Sequence, residues 1–430
     1  MLIQFTIRNY RSFLPSKTLS LEATSISEFK ENVFKTDKGK FNKCVAIYGA
    51  NASGKSNLIQ AMGLMRSIIF ESFEQSSTSS LNFDPFLLKN SNFKEPTLFE
   101  VVFLIEEIQY RYGFEFDKKS IRGEWLFMTE KRTEKPLFIR ENDGIEVFKI
   151  FKEGNSLEEK TRTNALFLTV VDQFNGRVSQ KILKWFNNFN IIDGIRHTGY
   201  RSITFKMLED KETRQSLTEY YQQLDLGFDS IEIKKELFDA EKMIQGLPED
   251  LIKQLVTDLE GETLINLTTK HRIFNDNHQF TNDFQEFNVR SQESSGTNKI
   301  IDLSGPIFDT LKDGGILVID ELDAKLHPLL TVSILRLFQS ETTNPKNAQL
   351  IFTTHNTNIL SLGRLRRDQI YFTEKDKLGI SDLYSLVEYN MNGKRVRKDN
   401  SFEKDYINGK YGAIPFIGDL NKLDLEWQEK

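Results

Sequence analysis

The segment Gly49-Ala50-Asn51-Ala52-Ser53-Gly54-Lys55-Ser56 has the residue types and the spacing to hold a nucleoside triphosphate. Glycines at 49 and 54 let the backbone turn so that successive N–H groups, and the start of the helix that follows, face the phosphates. Lys55 would reach the β and γ phosphates, the Ser56 hydroxyl would ligate Mg²⁺, and Asn57 follows as a further nucleotide-binding candidate. A second segment, Ile316-Leu317-Val318-Ile319-Asp320-Glu321, is a continuous apolar run ending in two acids. At the ligand edge of a sheet, Asp320 would hold Mg²⁺ through water and Glu321 would polarise the attacking water. Together the two segments point to ATP as substrate and Mg²⁺ as its companion ion.

Elements of the right kind flank both segments. Cys44 to Tyr48 is a short buried-strand run before the glycine-rich turn, and Leu58, Ile59, Met62, Leu64, Met65, Ile68 and Ile69 give the turn a helical sequel. The runs Gly315–Ile319 and Gln349–Thr353, with a helix pattern from Pro328 to Phe338 between them, fit parallel strands joined by a crossover helix. Upstream, alternation through Leu2, Ile3, Phe5 and Ile7, then Leu19 and Leu21, predicts an antiparallel strand pair. Aromatic-rich alternating runs from Thr97 to Arg140 predict an antiparallel meander, and Ser76–Ser80 a flexible surface loop. Asn164–Val171 is a further apolar run. In the middle, Lys181–Phe189, Thr213–Leu224 and Pro248–Leu259 carry helical patterns, with a strand expected at Ser230–Lys234.

Composition sets the limits. A chain of 430 residues has room for two or three domains or one with an insertion, and 39% apolar with 28% charged residues excludes disordered and collagen-like classes. The 35 Phe require a large interior to bury them. One cysteine, Cys44, excludes an internal disulfide or a cysteine zinc site and suits a reducing cytoplasm. The net charge of −5 gives no global attraction to nucleic acid. Arg8, Arg11 and Gln4 interrupt the N-terminus, so no signal-peptide core is expected, and no stretch reaches the roughly 20 apolar residues of a membrane helix.

With these segments in place, the chain resembles the ABC-type ATPase head. Glu293-Ser294-Ser295-Gly296-Thr297 resembles that family's signature, Asp323-Ala324-Lys325-Leu326-His327-Pro328 its D-loop, and His355 stands at its switch histidine. Ile7-Arg8-Asn9-Tyr10-Arg11-Ser12-Phe13 looks like the opening of SMC-like and RecF-like heads, which implies Arg11 near the nucleotide. Nearly the full length is similar to standalone AAA-family ATPases of bacterial abortive-infection and anti-phage systems, relatives of the OLD-family ATPase, down to the ending Lys410-Tyr411-Gly412-Ala413-Ile414-Pro415-Phe416. The resemblance implies an α/β P-loop NTPase of the ABC head type, with a mixed sheet, an antiparallel β insertion and a helical second lobe. Gln173 is the candidate Q-loop ligand of Mg²⁺, a surface-loop glutamine being the alternative. Ser295 and Thr297 depart from the Leu-Ser-Gly-Gly-Gln of transporter subunits, against a transporter role.

The organisation expected is a first lobe over 1–175, a helical or mixed second lobe over 176–300, the rest of the first lobe over 301–360 and a C-terminal extension over 361–430. The resemblance also implies a homodimer or higher even oligomer, with Ser294, Ser295 and Gly296 of one chain closing on the nucleotide of another. About 70 residues follow His355, too few for the Toprim nuclease of OLD relatives, so a separate effector, a nuclease encoded nearby, and a phage-derived trigger are expected. The alternative is a RecF- or SMC-like ATPase acting directly on DNA. Lys394, Arg395, Arg397 and Lys398 could touch nucleic acid, although a solvated turn at Asn392-Gly393 reads more simply.

Overall fold

The structure is a computed structural model and describes residues 1–72, 74, 76–90, 95–141, 144–237, 263–391, 394–397 and 400–415. The predicted helix at Pro248–Leu259, together with Lys398 and Phe416, lies outside the described residues. Two compact units emerge, Met1–Ile195 with Thr310–Ala324 and Pro328–Lys430, and Arg196–Asp309 with Lys325–His327.

In the first unit, β1 (Leu2–Arg8) pairs antiparallel with β2 (Lys17–Ser20), as the alternation predicts. A hairpin of β3 (Val33–Thr36) and β4 (Gly39–Asn42) leads into β5 (Cys44–Gly49), whose six residues are all buried, and then α1 (Lys55–Glu71). The meander follows as β6 (Thr97–Ile105), β7 (Ile108–Phe116), β8 (Ile121–Thr129), β9 (Lys135–Glu141) and β10 (Gly144–Val147). With β1 and β2 it forms one seven-stranded antiparallel sheet, order β10-β9-β8-β7-β6-β1-β2. Much of the phenylalanine goes here. Phe5, Phe99, Phe103, Phe114 and Phe116 are fully buried, and Phe103 stacks on Trp185 with centroids 4.2 Å apart. The Ser76–Ser80 loop is tied down, because Asn164 Nδ2 donates to the carbonyls of Ser76 and Ser79 at 2.9 and 3.2 Å.

The apolar run at 164–171 becomes a helix, α2 (Phe167–Gln173), followed by α3 (Arg177–Asn187) and β11 (Phe189–Asp193). Because β11 pairs in parallel with a later strand of the nucleotide-binding sheet, the first unit runs to Ile195 instead of ending at 175.

The second unit opens with α4 (Arg201–Glu209) and α5 (Lys211–Leu224). Among its described residues, β12 (Ser230–Leu237), β13 (Thr263–Phe274) and β14 (Phe280–Asn288) form a three-stranded antiparallel sheet. Helix α6 (Ser295–Asp313) begins in this unit and ends in the first. Asp302 on α6 is fully buried, 2.7 Å from His197 Nδ1 and 2.5 Å from Arg201 Nε, so its charge is paired.

Back in the first unit, β15 (Ile316–Asp320), α7 (Pro328–Gln339) and β16 (Gln349–Thr353) make the predicted crossover, followed by α8 (Asn358–Leu362), β17 (Ile370–Lys375) and β18 (Ser381–Ser385). The six-stranded sheet runs β11-β15-β16-β5-β17-β18, parallel except for β18. Helix α1 packs on both sheets, against β1 on one side and β5, β11 and β15 on the other, and its Leu58, Met62, Met65 and Ile69 are buried in the shared core. Short strands β19 (Asn390–Met391) and β20 (Lys394–Arg395) then pair antiparallel, the turn expected at Asn392-Gly393 lying outside the described residues, and α9 (Phe402–Ile407) follows. No helix among the described residues is long and apolar enough to cross a membrane.

Candidate active site

β5, β15 and β16 are parallel neighbours, so their C-terminal ends deliver side chains to one edge of the sheet. At that edge Asn51 to Asn57, Glu321, His355 and Lys375 line a cavity of about 400 Å³. The structure thus brings together the phosphate-loop residues, Glu321 and His355, which the sequence separates by some three hundred positions.

The loop is built as its glycines require. Gly54 has φ +116°, and a Cβ there would lie 2.4 Å from Ser381 Oγ; a Cβ on Gly49 would lie 2.5 Å from the Thr373 carbonyl oxygen. Ala52 also takes a left-handed conformation, φ 62°. A web of hydroxyls holds the loop from behind. Ser53 Oγ is 2.6 Å from Thr373 Oγ1, Ser381 Oγ donates to the Ser53 carbonyl at 2.7 Å and lies 2.8 Å from Ser12 Oγ, and Asn57 Nδ2 donates to Ser12 Oγ at 2.7 Å. None of Ser12, Thr373 or Ser381 is marked by the sequence motif.

Lys55 is buried at the first residue of α1, and its ammonium donates to the carbonyls of Gly49 and Ala50 at 2.8 and 3.0 Å. Burial pulls its pKa from 10.5 to about 8, with Asp320, Glu321 and Asp323 acting in the opposite direction. The cost of the buried charge is present below about pH 8 and is relieved as pH rises from there toward 10.5. A triphosphate favours the charged form. Affinity for ATP should therefore fall above about pH 8, by at most about tenfold per pH unit, with a proton taken up on binding. Calorimetry in buffers of different ionisation heat between pH 7 and 9 checks this; pH-independent affinity without proton uptake would contradict it.

The two acids are set by one threonine that the sequence does not flag. Thr353, fully buried at the end of β16, donates from Oγ1 to Asp320 Oδ1 at 2.6 Å and accepts from the Glu321 N–H at 2.7 Å. Glu321 itself is left-handed, φ 52°, a conformation a non-glycine residue holds only when its surroundings enforce it. Gly194, after β11, permits this turn, since a Cβ there would lie 2.3 Å from the Asp320 carbonyl oxygen. His355 is held below its usual pKa, first by burial and then by the Lys55 charge, so it is neutral at pH 7.

The other candidates fall as follows. Ser56 lines the cavity, and Asp320 is half-buried at the strand tip; a hydroxyl and a carboxylate are hard oxygen donors that fit Mg²⁺. Arg11 lines an adjoining cavity of about 340 Å³ that shares Asn57 and Lys375 with the first, and pairs with Asp84 at 2.6 Å. Asp323 is half-buried, with Oδ1 buried and without a hydrogen-bond donor among the described residues. Gln173 ends α2 on an exposed face and is not brought to the phosphate-loop cavity. Ser294, Ser295 and Gly296 are in the second unit. There Ser294 Oγ accepts from the Thr297 N–H at 3.1 Å and caps α6, while Ser294 and Ser295 are exposed.

No curated protein matches the sequence. Among solved structures, the SMC head domain from Thermotoga maritima aligns at 14% identity over 89% of this chain and 98% of its own, with a TM-score of 0.40. The recombination mediator protein RecF-ATPrS of the RecFOR pathway aligns at 14% identity over the same shares, 89% and 98%, with a TM-score of 0.27. At those scores the likeness is distant. The family described as AAA domain, putative AbiEii toxin, type IV TA system matches residues 44–361, a span that opens with β5 and the phosphate loop and closes beyond His355. On that match, which covers more than half of the chain, the protein belongs to this AAA-domain family.

Proposed function

We propose that the chain hydrolyses ATP between two copies of itself and uses the cycle to control a separate toxic effector in anti-phage defence. The observation that carries the chemistry is the Thr353 clamp: one hydroxyl fixes Asp320 and the strained Glu321 backbone together, at the cavity that Glu321 and Lys55 both line. The γ-phosphate would rest against the loop amides and the Lys55 ammonium. Glu321 would accept a proton from water as its oxygen attacks the γ-phosphorus, and ADP departs as the bond to the β-phosphate oxygen breaks. Mg²⁺, held by Ser56 and Asp320, would supply charge neutralisation to the phosphates. His355 would hydrogen-bond the γ-phosphate.

The exposed Ser294 and Ser295 at the start of α6 support a role in trans: a helix N-terminus of this length offers N–H groups and a partial positive charge to the γ-phosphate of a second copy. The donorless Oδ1 of Asp323 suits a D-loop that completes its bonding in such a pair. Loss of the γ-phosphate removes those contacts and loosens the pair, which makes ATP a switch. The family description, which names a toxin and a toxin–antitoxin system, supports the defence role; the separate effector is what the resemblance to standalone defence ATPases implies. Its test is a mass-spectrometric inventory of what co-purifies with the chain expressed from its native locus, comparing wild type with Glu321→Gln in ATP. A stoichiometric neighbouring gene product, enriched by the variant, is expected. DNA as the only retained partner would replace this reading with that of an ATPase acting on DNA.

A further inference from the structure

A cavity of about 850 Å³ lies at the opposite end of β5 from the phosphate loop and shares no lining residue with the nucleotide cavity. Five cationic side chains line it, Lys30, Lys35, Lys40, Lys43 and Arg366, against a single carboxylate, Glu341. Arg366 is already neutralised, donating to both Asp368 oxygens at 2.7 and 2.9 Å. The lysines have no ion pair among the described residues. Lys43 is 1% exposed, and its ammonium has one hydrogen bond among the described residues, to the Gln339 carbonyl at 2.9 Å. A buried ammonium with one neutral acceptor carries a desolvation cost, which lowers its pKa and which Glu341 and Glu31 only partly offset.

The hairpin above it carries a second unfavourable arrangement. Phe34 and Phe41 pair across β3 and β4 and are buried in a small core with Ile3, Val102 and Leu104, which fixes the register. That register sets Lys35 directly opposite Lys40, both exposed. Like charges directly opposed across strands are destabilising. An anion in the cavity relieves both costs, and its volume is within the range of about 300–1,000 Å³ typical of small-molecule sites. Ile26, Val33, Phe34 and Pro345 supply apolar wall for an organic portion.

We propose that this cavity binds a small molecule bearing two or more phosphate groups, with Lys30, Lys35 and Lys40 at its rim and Lys43 at its base. The occupant would lie against the residue that leads directly into β5 and so into the phosphate loop, whose backbone N–H and C=O are fixed by Asn32 and Leu350 at 3.0 and 2.9 Å. The site is independent of the proposed hydrolysis and does not require it.

The test uses the full chain carrying Lys55→Ala, which silences the nucleotide site, titrated with inorganic pyrophosphate and tripolyphosphate by calorimetry at about 150 mM salt. Saturable binding at one site per chain is expected, tighter for tripolyphosphate. Adding Lys35→Ala and Lys40→Ala should weaken it at least about tenfold, while the melting temperature stays the same or rises because the opposed charges are gone. Absence of saturable binding, or binding insensitive to the lysine substitutions, overturns the proposal. Duplex DNA binding more tightly than tripolyphosphate through the same lysines also overturns it, in favour of a nucleic-acid surface. In a chain that keeps Lys55, the same two substitutions should leave ATP turnover at the phosphate loop unchanged, which separates loss of this site from misfolding.

Discussion

Glu321→Gln is expected to slow ATP turnover by about 10²–10⁴ while leaving ATP bound. The substitution is close to isosteric, so the features that position residue 321 persist: its N–H still donates to Thr353 Oγ1, Gly194 still leaves room for the turn, and Gln tolerates the left-handed backbone about as well as Glu. Only the ability to accept a proton from water disappears. Asp320 keeps its hydrogen bond from Thr353 and Lys55 its place on the loop, so nucleotide affinity should change little. Single-turnover hydrolysis, with the nucleotide content of the purified variant, separates the two effects. Wild-type turnover would remove Glu321 from the role of base; loss of ATP binding would instead mean that its charge is needed in the ground state.

How much of this site can be read from the sequence depends on how local each contact is. The phosphate loop is legible because backbone conformation dictates residue type within eight positions: Gly54 at φ +116° tolerates no Cβ. The β15 acids are legible because a fully buried parallel strand writes itself as an unbroken apolar run. Thr353, Ser12, Thr373 and Ser381 are not, because each acts on a residue more than thirty positions away through a single hydroxyl. A threonine at a strand end carries no mark of the carboxylate it will hold. Gln173 shows the converse: an apolar run followed by Gln fits a loop by type, yet the run folds as α2, whose end is exposed.

The fold divides in the same way. The meander is legible because each strand buries one face in the core, and the Phe-rich alternation records it. Strands β13 and β14 leave little such record. Most of β14 is exposed, Phe280 by 70%, so no inward face imposes alternation on Phe280–Asn288. The helix at Phe167 is hidden for another reason. Its N-cap, Leu166, offers no side-chain acceptor, and the first N–H groups are met by Glu124 of β8, which accepts from Phe167 and Leu168 at 2.6 and 3.0 Å. That carboxylate is fully buried, its pKa raised by burial and opposed by Arg140, whose Nη1 is 3.9 Å away. A cap supplied from another strand across the core cannot be recognised from the residues beside the helix.

Mixing two inactive variants should restore ATPase activity if the signature acts in trans. Lys55→Ala removes the cation that the loop holds through the Gly49 and Ala50 carbonyls, and Ser294→Arg places a bulky charge on the exposed cap of α6. Each variant alone should be essentially inactive, Lys55→Ala failing to bind ATP productively and Ser294→Arg binding it without turnover. In a two-fold pair of unlike chains, one site combines both lesions. The other joins an intact loop and an intact signature. With random pairing about half of the pairs are mixed, and each has one good site of two, so activity should recover to about a quarter of wild type. A site complete within one chain cannot behave in this way, because neither polypeptide then holds all the working parts, and the mixture would stay as inactive as its components. The same mixture reports on the strength of the pair. If recovery appears only when the variants are mixed with ATP present, the contacts that join the two copies are those that the γ-phosphate completes, as expected of a switch opened by hydrolysis.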